Sequence, residues 1–120
     1  MTESINPKKY DLEDRTFEFA RMTRVFLKKL SKTVISIEDV KQLVRSSGSV
    51  GANYIEANES LSKKDFIMRI KISRKEAKES SFWLRLIETD NSELEQEKQL
   101  LIKEAQELTN IFGAIIRKSE

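Results

Sequence analysis

Seven positions between Phe66 and Ile87 constrain this chain more than any other feature. Phe66, Ile70, Ser73, Ala77, Ser80, Leu84 and Ile87 follow one another at steps of four and three without a miss. An α-helix completes a turn in 3.6 residues, so this spacing gathers them on one face. The small members Ser73, Ala77 and Ser80 mark a place where a neighbouring backbone can come close. A helix with one apolar face needs partners to cover it.

Three further segments supply them. Leu12, Phe19, Phe26 and Leu30 recur at helical spacing, with Val25 and Leu27 alongside. Val40, Leu43, Val44, Ser47, Gly51, Tyr54 and Ile55 form a second stripe. Leu94, Lys98, Leu101, Ala105, Leu108, Phe112 and Ile115 form a last one, with only Lys98 out of character. Ser36 with Asp39, Ser62 with Asp65, and Ser92 with Glu95 read as helix starts, the last as a full capping box. The predicted helices are 12–31, 37–58, 63–89 and 93–117, after an irregular leader over residues 1–11 that contains Pro7. Their connections span a few residues, so each helix must fold back on the one before. The expected fold is all-α: an antiparallel up-down-up-down left-handed four-helix bundle formed by residues 12–120.

Composition narrows the chemistry. With 120 residues the default is one domain. The chain has neither Cys nor His, which removes disulfides, thiolate nucleophiles and imidazole as base or ligand. No P-loop, nucleophile elbow or zincin helix occurs. Glu76 and Glu79 lie on one helix and read as surface charges rather than an acid–base pair. No catalytic, cofactor-binding or metal site is expected, and the protein is not expected to be an enzyme. The first residues are polar and no stretch approaches a membrane span, so the expectation is a cytoplasmic protein with no membrane partner.

The net charge is only +2, yet it is unevenly placed. Residues 1–35 carry +3, 36–60 carry −2, 61–90 carry +3 and 91–120 carry −2. Arg21, Arg24 and Lys28 fall on one stripe of the first helix. Lys71, Arg74, Lys75 and Lys78 cluster on the third. Such stripes are either solvated faces paired with acidic neighbours or a surface that binds the phosphates of RNA or DNA.

Where charge is missing is as informative. Residues 46–55 (SSGSVGANYI) form an uncharged run of ten in a chain that is 35% charged. Residues 108–116 (LTNIFGAII) form another, of nine. A helix neutral on every side is normally buried on every side, and four helices leave outer faces uncovered. A second copy of the chain is the expected cover. Arg45, Ser49, Asn53 and Glu56 gather on the wheel opposite the core stripe and, with Gly48 and Ala52, are the candidate oligomer interface. Gly48 and Gly51 each weaken a helix interior by about 1 kcal/mol relative to Ala, which suggests close backbone approach there. At least one of Phe82 and Trp83 should be exposed.

The run from Gln42 through Arg45, Asn53 and Glu56 to Ala57, followed by Lys64-Asp65-Phe66, Ile70 to Ser73 and Glu79, resembles the four-helix bundle proteins encoded within 23S rRNA intervening sequences. Arg45, Asn53, Glu56, Asp65, Phe66 and Glu79 match that family's pattern, and the likeness spans about residues 12–117. It departs at Ala57, where many relatives have Gly, and at Lys75-Glu76, where they often have Gly and Ser. The resemblance implies a homopentamer, often with a pore, and no catalysis. It also implies kinship with accessory proteins of diversity-generating retroelements, which accompany reverse transcriptases and are thought to bind nucleic acid. The expected role is therefore a homo-oligomeric module that binds nucleic acid or a nucleoprotein through Arg21, Arg24, Lys28, Lys71, Arg74, Lys75 and Lys78. The alternative is a purely structural or protein-partner scaffold.

Overall fold

The computed structural model describes residues 11–32 and 36–120. The helices are α1 (Leu12–Lys28), α2 (Ile37–Asn58), α3 (Lys63–Leu86) and α4 (Ser92–Ser119). Each begins where a side chain replaces a missing backbone acceptor. Asp11, Ser36, Ser62 and Asn91 have extended backbones and accept from the N–H of Asp14, Asp39, Asp65 and Leu94 respectively. The expected Ser92 cap is thus displaced by its neighbour. Asn91 Oδ1 takes the bond at 2.8 Å and Ser92 becomes the first helical residue. Glu95, freed from a capping box, accepts instead from Thr89 Oγ1 and Gln99 Nε2. Those bonds, the Thr89 one first, hold its carboxyl below the usual range. The helix α1 ends three residues sooner than its apolar pattern suggests, and α3 also stops early, at Leu86. Most of the expected leader (residues 1–10) and the break at 33–35 lie outside the described residues.

Contacts across each seam run in opposite directions, so neighbours are antiparallel. Between α1 and α2, Asn58 meets Glu13, Gly51 lies against Thr16 and Val44 receives Arg24. Between α2 and α3, Ser46 pairs with Ser80, Val50 with Ser73 and Asn53 with Arg69. Lys98 reaches the Ile87 carbonyl just beyond α3, while Arg74 lies over Gly113 of α4. The circuit closes through Arg15 to Glu104 and Glu107, and through Lys29 to Glu97. Hydrogen bonds to Glu104, above all, raise the Arg15 pKa further. Among the described residues α1 does not pack on α3; the two are diagonal.

Phe26, Leu43, Ile70, Leu84, Leu108 and Phe112 are fully buried at the centre. Each such side chain contributes roughly 1.5–3 kcal/mol relative to exposure. Two threonines complete the α1 stripe. Thr16 and Thr23 are buried because their hydroxyls bond back to the carbonyls of Leu12, Glu13 and Phe19. On α2 the buried face is turned toward α3 relative to the sequence reading. It includes Ser46 and Val50, whereas Ile55 is exposed. The cause is the small-residue face of α3, which draws α2 close. Ser73 Oγ donates to the Val50 carbonyl at 2.9 Å and Ser80 Oγ to Ser46 Oγ at 3.0 Å. Lys98 keeps its place on an apolar stripe because its Nζ donates to the Ile87 carbonyl at 2.9 Å, at the negative end of α3.

Candidate functional site

The α3 cations are the strongest concentration of unneutralised charge. Lys71, Arg74, Lys75 and Lys78 recur at steps of three, one and three, so one outward face carries all four. They are exposed and, with Glu79 and Phe82, line a surface groove of about 390 Å³. Among the described residues only Lys75 has a carboxylate within 4.0 Å, that of Glu76. An array of this kind can bind successive phosphates without first breaking internal ion pairs.

The α1 cations behave differently. Arg21 is bound to Glu18 at 2.7 Å, which draws the Glu18 carboxyl below its usual range. Arg24 is half-buried and spans the α1–α2 seam, donating to the Ala20 and Val44 carbonyls and to Ser47 Oγ. Lys28 is exposed. Because α1 and α3 are diagonal, the two stripes face away from each other and do not merge into one surface on a single chain.

Between α1 and α2 lies a mainly apolar groove of about 410 Å³. Phe17, 63% exposed, and Ile55, 48% exposed, flank a floor that includes Gly48, Gly51 and Ala52. Gly48 and Gly51 do mark a close approach, but its partner is α1 of the same chain. A Cβ on Gly51 would stand 2.9 Å from Thr16 Oγ1, and one on Gly48 3.2 Å from the Arg24 guanidinium. The uncharged run is therefore partly covered from within. Across the core it touches the other one, with the Tyr54 and Phe112 rings 5.9 Å apart.

The rest of the expected interface cluster divides. Asn53 faces α3, its Oδ1 accepting from Arg69 at 3.0 Å while its Nδ2 donates to the Ser49 carbonyl. Arg45, though well exposed, leans toward Glu76 of α3 at 4.0 Å. Glu56 is exposed. Arg45 and Asn53 thus find partners on α3 of the same chain, because the true core face of α2 is rotated.

Glu76 itself is not a surface charge. It is 4% exposed, and its Oε1 has no hydrogen-bond partner. The clue in the sequence was its position beside Ala77 on the flank of the small-residue face, between Ser73 and Ser80. A buried carboxylate with cations only at 4.0 Å is poorly compensated. Glu76→Met is therefore expected to raise stability by about 1 kcal/mol, and Arg45→Ala to lower it by a similar amount unless Glu76 is also replaced. Urea midpoints of the two single variants and the double variant measure this.

Among the described residues no cluster of carboxylates is arranged to hold a metal ion, and no helix is long and apolar enough to cross a membrane. The profile described as 23S rRNA-intervening sequence protein matches residues 8–114. The chain belongs to that family. The intervening-sequence protein fold seen here is also close to a crystal structure from Bacteroides thetaiotaomicron, described as a protein with unknown function from the S23 ribosomal protein family. The two share 29% identity with a TM-score of 0.74, over 88% of this chain and 98% of that one. Neither description names an enzymatic activity. A comparison with curated proteins finds no match.

Sequence reasoning expected exposure at Phe82 or Trp83 without joining it to the cations, and it passed over two α4 residues that contribute to the same face. Phe82 stands 51% exposed beside the cations, and Gln106 and Asn110 approach it from α4. The amides carry no spacing signal of their own, since only helix pairing brings residue 106 next to residue 82.

Proposed function

We propose that this intervening-sequence protein is a non-catalytic, self-assembling helical bundle of the cytoplasm that binds nucleic acid. The supporting observation is the α3 face, where Lys71, Arg74, Lys75 and Lys78 lie together with little internal neutralisation. Assembly multiplies that array, which offsets the small net charge of one chain. The α1–α2 groove is an apolar surface suited to such a cover, since Phe17 and Ile55 stand in water at its mouth. It lies across the bundle from the α3–α4 side, so copies joined there leave the cations free.

Two measurements test this. Light scattering should give a native mass several times the 14.0 kDa of one chain, five times under the family resemblance. Ile55→Asp should reduce it toward one chain with the helical content retained. RNA should be held on a filter at about 50 mM salt and released as salt rises to about 200 mM. Assembly without any retention at low salt would favour the scaffold reading, in which the bundle serves a protein partner.

A further inference from the structure

Two depressions on the α3–α4 side adjoin and share Lys78 and Phe82. On one side of Phe82 the lining is mainly cationic, with Lys71, Arg74 and Lys75 beside a single carboxylate, Glu79. On the other it is mostly uncharged and polar, with Ser81, Gln106, Thr109 and Asn110, and Arg85 adds one further cation. Phe82 stands between them with half its surface in water. Trp83 braces it, edge to face, with ring centroids 5.0 Å apart and planes at 79°. Trp83 is in turn packed against the core. The exposed ring is thus held by a fixed neighbour. Gln106 and Asn110, one helical turn apart, have exposed side-chain amides with no hydrogen-bond partner among the described residues.

Phosphate binding alone needs none of this. Cations suffice for a duplex, whose base faces are already stacked on each other and closed to an outside ring. A ring flanked by cations suits a strand whose bases are free to stack on it. Unpaired amides beside that ring suit the edges of an unpaired base and the 2′-hydroxyl, which both donates and accepts. We infer that the α3–α4 face binds single-stranded RNA, with phosphates along Lys71, Arg74, Lys75 and Lys78, a base stacked on Phe82, and Gln106 and Asn110 meeting the base edge and ribose. This rests on the nucleic-acid reading above and assigns it a strand type and a stacking residue. The stretch of α3 from Lys71 to Arg85 is about 21 Å long at 1.5 Å per residue, room for a short strand segment.

The test uses the full chain and three labelled probes of about 20 nucleotides, oligouridine, oligodeoxythymidine and an RNA duplex, followed by fluorescence anisotropy. Oligouridine should bind at least about tenfold more tightly than the duplex. Phe82→Ala should weaken oligouridine binding between about fivefold and about a hundredfold, the range of one base–aromatic stack. It should leave duplex binding and the salt dependence unchanged, since the cations remain. Phe82→Tyr, which keeps a ring, should retain the oligouridine affinity and so separates stacking from any effect on folding. Trp83 is the only tryptophan in the chain, and its emission should change when oligouridine binds.

Unchanged oligouridine binding by Phe82→Ala, or equal binding of strand and duplex, would overturn the stacking site while leaving the broader nucleic-acid reading standing. Equal binding of the ribo- and deoxy-strands would overturn the part given to Gln106 and Asn110 at the 2′-hydroxyl. Failure of all three probes to bind at about 50 mM salt would end both readings.

Discussion

Replacing Gly51 by leucine is expected to lower stability by about 3 kcal/mol or more, because α1 occupies the space a side chain would need. Even a single Cβ would stand 2.9 Å from Thr16 Oγ1 and 3.2 Å from Thr16 Cβ. Those atoms cannot easily give way, since the Thr16 hydroxyl is bound to two carbonyls of its own helix. Gly51→Ala gains about 1 kcal/mol of helix propensity, so its net loss should be much smaller than that of leucine. Thr16→Gly removes both close atoms and should recover part of the Gly51→Ala loss, a coupling that a double-mutant cycle reads directly. Each kilocalorie is worth roughly 4–8 °C in melting temperature for a domain of this order of size. A Gly51→Leu variant that melts like the parent would mean that α1 does not pack this closely. The same substitution would disturb assembly only by way of α1, which is why Ile55, exposed beside it, is the better probe of self-association.

Converting Lys71, Arg74, Lys75 and Lys78 together to glutamine should leave the helix intact and nearly abolish RNA retention. All four are exposed, and glutamine is a good helix former, so the melting temperature should move by a few degrees at most. Four lost phosphate contacts would reduce the slope of log affinity against log salt by about 2.8 for a single strand. At about 50 mM salt the affinity should fall by about a hundredfold or more. The comparison set is Arg21, Arg24 and Lys28. Arg21 already pairs with Glu18 and Arg24 is tied across the α1–α2 seam. Arg21→Gln with Lys28→Gln should therefore change RNA retention by less than about threefold, within the range of a weak surface contribution. An equal loss from both sets would show that the cations act as a diffuse field rather than through the α3 groove.

Much of the architecture is legible from local sequence because helix pattern and helix capping are short-range properties. The α3 stripe from Ile70 to Ile87 is buried at every predicted position, since a period of 3.6 forces those residues to one side whatever covers them. Ser36 and Ser62 cap where their side chains predict, a matter of three residues of chain. The misplaced start of α4 is equally local, since Asn91 and Ser92 are both good caps and the chain uses the first. Charge segregation and the four α3 cations were also visible, because all four sit within eight residues of one helix.

What depends on how helices pair was not visible in that way. A wheel for α2 cannot say which of two flanking helices sets its buried face. Arg45 and Asn53, placed on an outer surface by periodicity alone, instead turn toward α3. Glu76 is buried because Ser46, Ser73 and Ser80 let two backbones approach, a condition set by both helices at once. Diagonal placement of α1 and α3 separates two basic stripes that look equivalent in sequence. The meeting of Phe82 with Gln106 and Asn110 joins residues more than twenty positions apart. Periodicity and caps therefore determined four helices, and the apolar faces of α1, α3 and α4, from the sequence alone. Only the tertiary structure decided which faces meet, because that choice rests on the joint fit of side-chain volumes across seams, to which no single helix holds the key.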